Sequence, residues 1–128
     1  MQLVVVRHGK AAPGEPDDLR PLTAEGREQA RELGERLRAR GISPDAVLTS
    51  PLLRARETAA ALGLGEPEVD ERLAPGATAE EIREAALGRG DTVVVVGHQP
   101  DLGYAVLALS GVEAPFPPGG CHELELRA

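Results

Sequence analysis

The chain has 128 residues, 41% hydrophobic and 27% charged, with a formal net charge of -7, the composition expected of a soluble globular protein able to bury a core without disulfides or a structural metal. The acidic balance argues against bulk electrostatic attachment to nucleic acid or an anionic membrane, and 2% aromatic residues leave no stacking platform for single-stranded nucleic acid. An anionic ligand therefore has to be captured locally.

In chain order, "QLVVV" at residues 2–6 reads as a buried strand, ended abruptly by Arg7, His8 and Gly9. "RPLTAEGREQARELGERLRARG" follows as an amphipathic helix, with Thr23 as N-cap, acids early, arginines late, Gly41 past its end and Ala30, Leu33 and Leu37 on the apolar stripe. "DAVLTS" is a second short strand. "SPLLRARETAAALG" reads as a helix with Ser50 as N-cap, Pro51 first and Gly63 as the stop; Leu52, Ala55, Ala59 and Leu62 form its core stripe and Arg54 lies off it. A brief edge strand is expected around Val69. "TAEEIREAALG" carries a capping box in Thr78 and Glu81 before a closing Gly88.

"DTVVVVGHQP" is the plainest buried strand, and "DLGYAVLALSG", apolar nearly all round, is expected to be a deeply packed helix. "VEAPFPPGG" is a loop. "CHELELRA" alternates as a half-exposed last strand, with Leu124 and Leu126 on one face and Glu123, Glu125 and Arg127 on the other. The alternation predicts a three-layer α/β/α sandwich with a mostly parallel central sheet, one domain over residues 1–128. Cys121, the only cysteine, cannot form an internal disulfide, and the apolar N-terminal run is too short for a secretory or membrane-spanning segment. Cytoplasmic residence is the default expectation.

In such a sheet the ligand crevice lies outside the carboxyl ends of the strands. "LVVV" and "VVVV" are followed there by Arg7-His8 and Gly97-His98, and the helix fed by "AVLTS" carries Arg54 in its first turn. Two histidines and two arginines thus converge on one edge. Guanidinium forks that never lose their charge, beside a helix N-terminus, suit phosphoryl oxygens. A neutral imidazole kept from protonation by those arginines is a competent nucleophile toward phosphorus, and the second histidine, if cationic, would donate to the developing charge.

"RHG" after an N-terminal strand, "LTAEGREQA", "SPLLRARETA" and a late "GH" after a strand resemble the histidine phosphatase superfamily, the phosphoglycerate-mutase-like branch. The short chain and "MQLVVVRHGKA…RPLT" are most similar to its small SixA-type phosphohistidine phosphatases. The resemblance spans nearly the whole chain. It implies that His8 is a transiently phosphorylated nucleophile, that Arg7, Arg54 and His98 cradle the phosphoryl group, and that water then releases inorganic phosphate. No metal or organic cofactor is implied. The expected partner is a protein phosphohistidine, or else a small phosphorylated substrate.

The proton-donating acid of larger relatives has no counterpart after "DERL", where Ala74, Pro75 and Gly76 stand; Glu71 or Glu80 are the available alternatives. A missing acid handicaps cleavage of a phosphate ester more than cleavage of a P–N bond. The rival readings are a small-metabolite phosphomonoester phosphatase, a non-catalytic phospho-ligand binding module, and a zinc site built from His8, His98 and an acid, which has no closely spaced ligand pair. Arg54 alternatively pairs with Glu57 or Thr58 on its own helix, and Arg56 takes a surface role. Arg20 either lines the approach to the pocket or pairs with Asp17 or Asp18. His122 reads as structural or semi-exposed on the apolar side of the last strand, and Cys121 as a small core filler.

Overall fold

The computed structural model describes residues 1–127. Its elements are β1 (Gln2–Arg7), α1 (Ala24–Ala39), β2 (Ala46–Thr49), α2 (Leu53–Leu62), β3 (Pro67–Val69), α3 (Ala79–Ala86), β4 (Thr92–Gly97), α4 (Asp101–Ser110) and β5 (Cys121–Glu125), with short 3-10 turns at Asp17–Leu19 and Glu71–Leu73. The strands form one sheet in the order β3-β2-β4-β1-β5. All neighbours are parallel except β5, which runs antiparallel to β1.

The valine runs are buried along their whole length because both faces of the sheet are covered, which removes any polar side from the strand pattern. Leu3, Val5, Leu48, Val93 and Val95 pack with Ile82, Ala85 and Ala86 of α3 and Leu102, Ala105 and Val106 of α4. Val4, Val6, Val47, Val94 and Val96, on the opposite face, pack with Leu33 and Leu37 of α1 and Ala55, Ala59 and Leu62 of α2. The chain is thus an α/β/α sandwich around a mostly parallel sheet, as its pattern predicts.

Most end signals act as expected. The Thr23 hydroxyl accepts from the Gly26 N–H, and Thr78 and Glu81 complete the capping box. Gly63 terminates α2 in the left-handed conformation. Leu124 in β5 and Leu126 just beyond it are buried, and His122 shares the face of Leu124 at partial exposure. Cys121 lies on the other face, half-buried at the edge of the second core.

Three expectations need correction, those for Ser50, Leu52 and α4. Ser50 does not cap α2: the helix starts three residues later, after Leu52, which supplies no side-chain cap. The Ser50 hydroxyl instead accepts from the Leu52 N–H and engages His98, so Leu52 leaves the predicted core stripe and is only half-buried. α4 is not deeply packed all round. It lies in an outer layer with no further layer over it, so Tyr104 is 69% and Leu107 43% exposed. The "VEAPFPPGG" segment is a loop, yet its Phe116 is buried in the first core.

Candidate active site

The site forms where β1 and β4 end together. Their parallel register pairs Arg7 with Gly97, so the next residues, His8 and His98, leave the same edge of the sheet. The two imidazoles lie 5.1 Å apart, centroid to centroid, tilted by 58°. β2 ends one strand away, with Thr49 opposite Val96, and delivers Ser50 and then α2.

Around His8 the backbone is tightly tied. Its N–H donates to the Gly97 carbonyl at 3.1 Å, and its own carbonyl accepts from the Gly119 N–H at 3.1 Å. The next N–H, of Gly9, donates to Thr58 Oγ1 at 3.0 Å, and that buried hydroxyl donates to the Arg54 carbonyl at 2.7 Å. Thr58 therefore links the His8 loop to the turn that carries Arg54. Gly9 is required here because a Cβ would stand 2.5 Å from the Gly26 carbonyl oxygen of α1.

His8 Nδ1 lies 2.7 Å from the Gly9 carbonyl oxygen. A carbonyl only accepts, so Nδ1 carries the proton and the lone pair of the neutral ring is on Nε2. Burial lowers the pKa of His8 below the usual histidine range; the Gly9 contact opposes this, and the charges of Arg54, Arg7 and Arg20 add to it. The expectation that the arginines suppress protonation is met, with desolvation as the larger cause.

His98 is 5% exposed. Its Nε2 lies 2.7 Å from Ser50 Oγ. That hydroxyl accepts from the Leu52 N–H at 3.2 Å and has no other acceptor for its own proton among the described residues, so the proton goes to Nε2 and the neutral ring carries its proton on Nδ1. Nδ1 is buried and has no hydrogen-bond partner among the described residues. Burial, reinforced by the neighbouring His8 and Arg54, lowers the His98 pKa to about 4. His98 is thus a neutral donor near pH 7, and the cationic form considered from the sequence is not the resting one.

The two arginines are held by backbone carbonyls. Arg7 Nη1 donates to Phe116 O at 2.8 Å, while its Nε is buried without a partner among the described residues. Arg54, 7% exposed, does not pair with Glu57, which engages Arg27 and the Leu22 N–H. It reaches residue 17 instead, Nη1 to the Asp17 carbonyl at 2.8 Å and Nη2 to the Asp17 carboxylate at 3.2 Å. Buried donors left unpaired are costly, and an anion relieves that cost. Arg7 Nε and the proton on His98 Nδ1 therefore suit phosphoryl oxygens, with His8 Nε2 as the one lone pair available among them.

The structure brings all four sequence-derived residues to one edge of the sheet. It does not bring the proposed acids: Glu80 faces Arg83, Glu71 opens a 3-10 turn, and neither bonds to any of the four among the described residues. Arg56 stays on the surface against the Pro51 carbonyl. Arg20 makes the expected pair with Asp17, at 3.0 Å. The contacts missed from sequence are Asp17 to Arg54, Ser50 to His98 and Thr58 to Gly9. Each joins residues at least 37 positions apart, so no local pattern announces them. No three His, Cys, Asp or Glu side chains converge to hold a metal ion among the described residues, and no helix among them is long and apolar enough to cross a membrane.

Residues 3–86 match the family model of the histidine phosphatase superfamily, branch 1. The chain is 33% identical over 125 residues to phosphohistidine phosphatase SixA of Escherichia coli, covering 90% of this chain and 78% of that one. It is 40% identical over 114 residues to an uncharacterized protein of a Picosynechococcus strain, covering 80% and 69%. The solved structure of the protein histidine phosphatase SixA complexed with tungstate superposes with a TM-score of 0.88 at 28% identity, over 98% of this chain and 88% of the other. Fold, motif order and sequence agree: the chain belongs to the histidine phosphatase superfamily.

Proposed function

We propose that this phosphatase hydrolyses a phosphoryl group through a phosphohistidine formed on His8, and that its substrate is a phosphohistidine on a protein. The observation that carries the reading is the disposition of protons around the site. His8 is fixed with its lone pair on Nε2, and two buried donors of Arg7 and His98 lack partners beside it.

The steps follow from that arrangement. Arg7 Nε, the guanidinium of Arg54 and His98 Nδ1–H receive the non-bridging oxygens, whose charge they stabilise from fixed positions with little reorganisation. His8 Nε2 attacks phosphorus, and the bond to the leaving group breaks with its electron pair going to that group. The phosphorylated ring keeps its proton on Nδ1, bonded to Gly9 O, so His8 is a protonated leaving group when water attacks. The P–Nε2 electron pair then returns to the ring, which is neutral again with the same tautomer, and phosphate departs.

The carboxylates near the site bear on the leaving group. An ester releases an alkoxide that needs a proton, but Asp17, which touches Arg54, is held below the usual carboxylate range by hydrogen bonds from Arg20 and Arg54. It is ionised near neutral pH and unfit as an acid. A phosphorylated imidazole can take a proton from solvent on its other ring nitrogen and leave as neutral imidazole, so its P–N bond needs no acid from the protein. The relative in Escherichia coli is named a phosphohistidine phosphatase, and the 28%-identical neighbour binds tungstate, an oxyanion; both support the same reading.

The test is a substrate panel of a phosphohistidine protein, phosphoramidate, sugar phosphates and an aryl phosphate, run beside acid-labile labelling of the protein by phosphoramidate. His8→Ala is expected to abolish labelling and to lower turnover by at least about 10³-fold. Wild-type protein that neither labels nor turns over would show a binding module instead. A wide preference for esters would refute the leaving-group argument, and turnover lost to a chelator and restored by zinc would refute the metal-free chemistry.

A further inference from the structure

We propose that Asp17 is a specificity-determining residue of this site, its carboxylate accepting a hydrogen bond from the ring N–H of a substrate phosphoimidazolium whose P–N bond is broken. The inference rests on the phosphohistidine reading above.

Asp17 meets the rim of the site from outside. Its carbonyl and Oδ2 take the two Nη atoms of Arg54, and Oδ1 takes Arg20 Nη1. Arg54 is nearly buried, but the Asp17 side chain is 65% exposed, so the carboxylate stands at the mouth. Each oxygen accepts one hydrogen bond here, and a carboxylate has about four acceptor positions. Capacity remains for a group arriving from solvent.

A negative charge beside a phosphoryl pocket opposes binding of a phosphate dianion. Holding Arg54 does not require it, because the Asp17 carbonyl already binds Nη1 at the shorter distance of 2.8 Å. The charge helps when the substrate itself brings a cation to the mouth. Phosphohistidine does so: its ring, phosphorylated on one nitrogen, can be protonated on the other. A carboxylate facing that N–H stabilises the protonated ring, which is the reactive form. His8 Nε2 then forms its bond to phosphorus, the substrate P–N bond breaks with its electron pair going to the nitrogen, and the retained proton leaves the departing ring a neutral imidazole. An ester has no such proton to offer.

The experiment compares wild type, Asp17→Asn and Asp17→Ser on a chemically phosphorylated histidine peptide and on an aryl phosphate, with melting temperature and the tungstate-induced rise in it as checks on fold and anion site. The expected result is a fall in kcat/KM on the phosphohistidine peptide that exceeds any change on the aryl phosphate by about tenfold or more, the scale of one charge-assisted hydrogen bond. An equal fall on both substrates would reassign Asp17 to positioning Arg54 and overturn the inference, as would no change on either. Wild type that cleaves the aryl phosphate but not the peptide would instead refute the proposed function, and the inference with it.

Discussion

His98 sets a stability test that needs no substrate. Its pKa falls from 6.5 to about 4 on folding, because the buried ring meets His8 and Arg54 without a compensating acceptor on Nδ1. The unfolded chain therefore binds a proton near pH 6.5 that the folded chain refuses until about pH 4. Between those values the unfolded state holds more protons, so stability falls as pH falls; above pH 6.5 and below pH 4 this residue contributes no slope. At about 1.4 kcal/mol per tenfold difference in proton affinity the full effect is about 3 kcal/mol, and about 2.4 kcal/mol of it lies between pH 7 and pH 4.5.

His98→Gln removes the titration. The assay is urea unfolding followed by far-ultraviolet circular dichroism, since the chain has no tryptophan, for both proteins at intervals across that range. Asp17, Glu28 and Asp70, whose pKa values are lowered by their arginine partners, withdraw stability at still lower pH in both proteins. His8 acts in the same direction as His98 and is likewise common to both. The wild type is expected to lose about 2–3 kcal/mol more than the variant from pH 7 to pH 4.5. Parallel curves would refute a neutral, desolvated His98, and with it the assignment of its Nδ1 proton as a resting donor.

Two further predictions concern the anion clamp and the helix packing beneath it. Arg54→Ala is expected to lower kcat/KM by about 10²–10³-fold, and Arg54→Lys to recover little, since an ammonium cannot span residue 17 and a phosphoryl oxygen as a planar fork does; near-complete recovery by lysine in steady-state kinetics would contradict this. Gly34→Ala would place a Cβ 2.0 Å from the Leu62 carbonyl oxygen, forcing α1 away from α2 at about 2–3 kcal/mol and lowering Tm by about 5–10 °C. Gly103→Ala, whose Cβ meets only the Gln99 side chain at 3.4 Å, is the contrasting control. It is expected to raise stability by up to about 1 kcal/mol in calorimetry.

Local chemistry makes much of this molecule legible before any coordinates. A helix N-terminus needs an acceptor within three residues, so Thr23 and Thr78 announce α1 and α3. A strand covered on both faces has no polar side, so "VVVV" announces itself as central. His8 and His98 could be placed at one edge because parallel strands carry their ends in register, and Arg54 because β2 feeds its helix there. The same local reasoning misplaces Ser50, because the residues beside it suggest a helix cap while its hydroxyl engages His98. The exposure of α4 is not legible locally, because an apolar composition does not say whether another layer will lie over it.

The alternation of elements, the histidine and arginine set and the phosphoryl chemistry it suggests are legible in the chain, since they depend on residue type, on local pattern and on the shared edge of parallel strands. The protonation of that set comes from the packed fold. The tautomer of His98 follows from Ser50, 48 residues away, and the charge at the mouth from Asp17, 37 residues from Arg54. The ionisation of both histidines is governed first by burial. Proton positions depend on which donors, acceptors and apolar walls surround a group in space, and only the packed sheet edge brings them together.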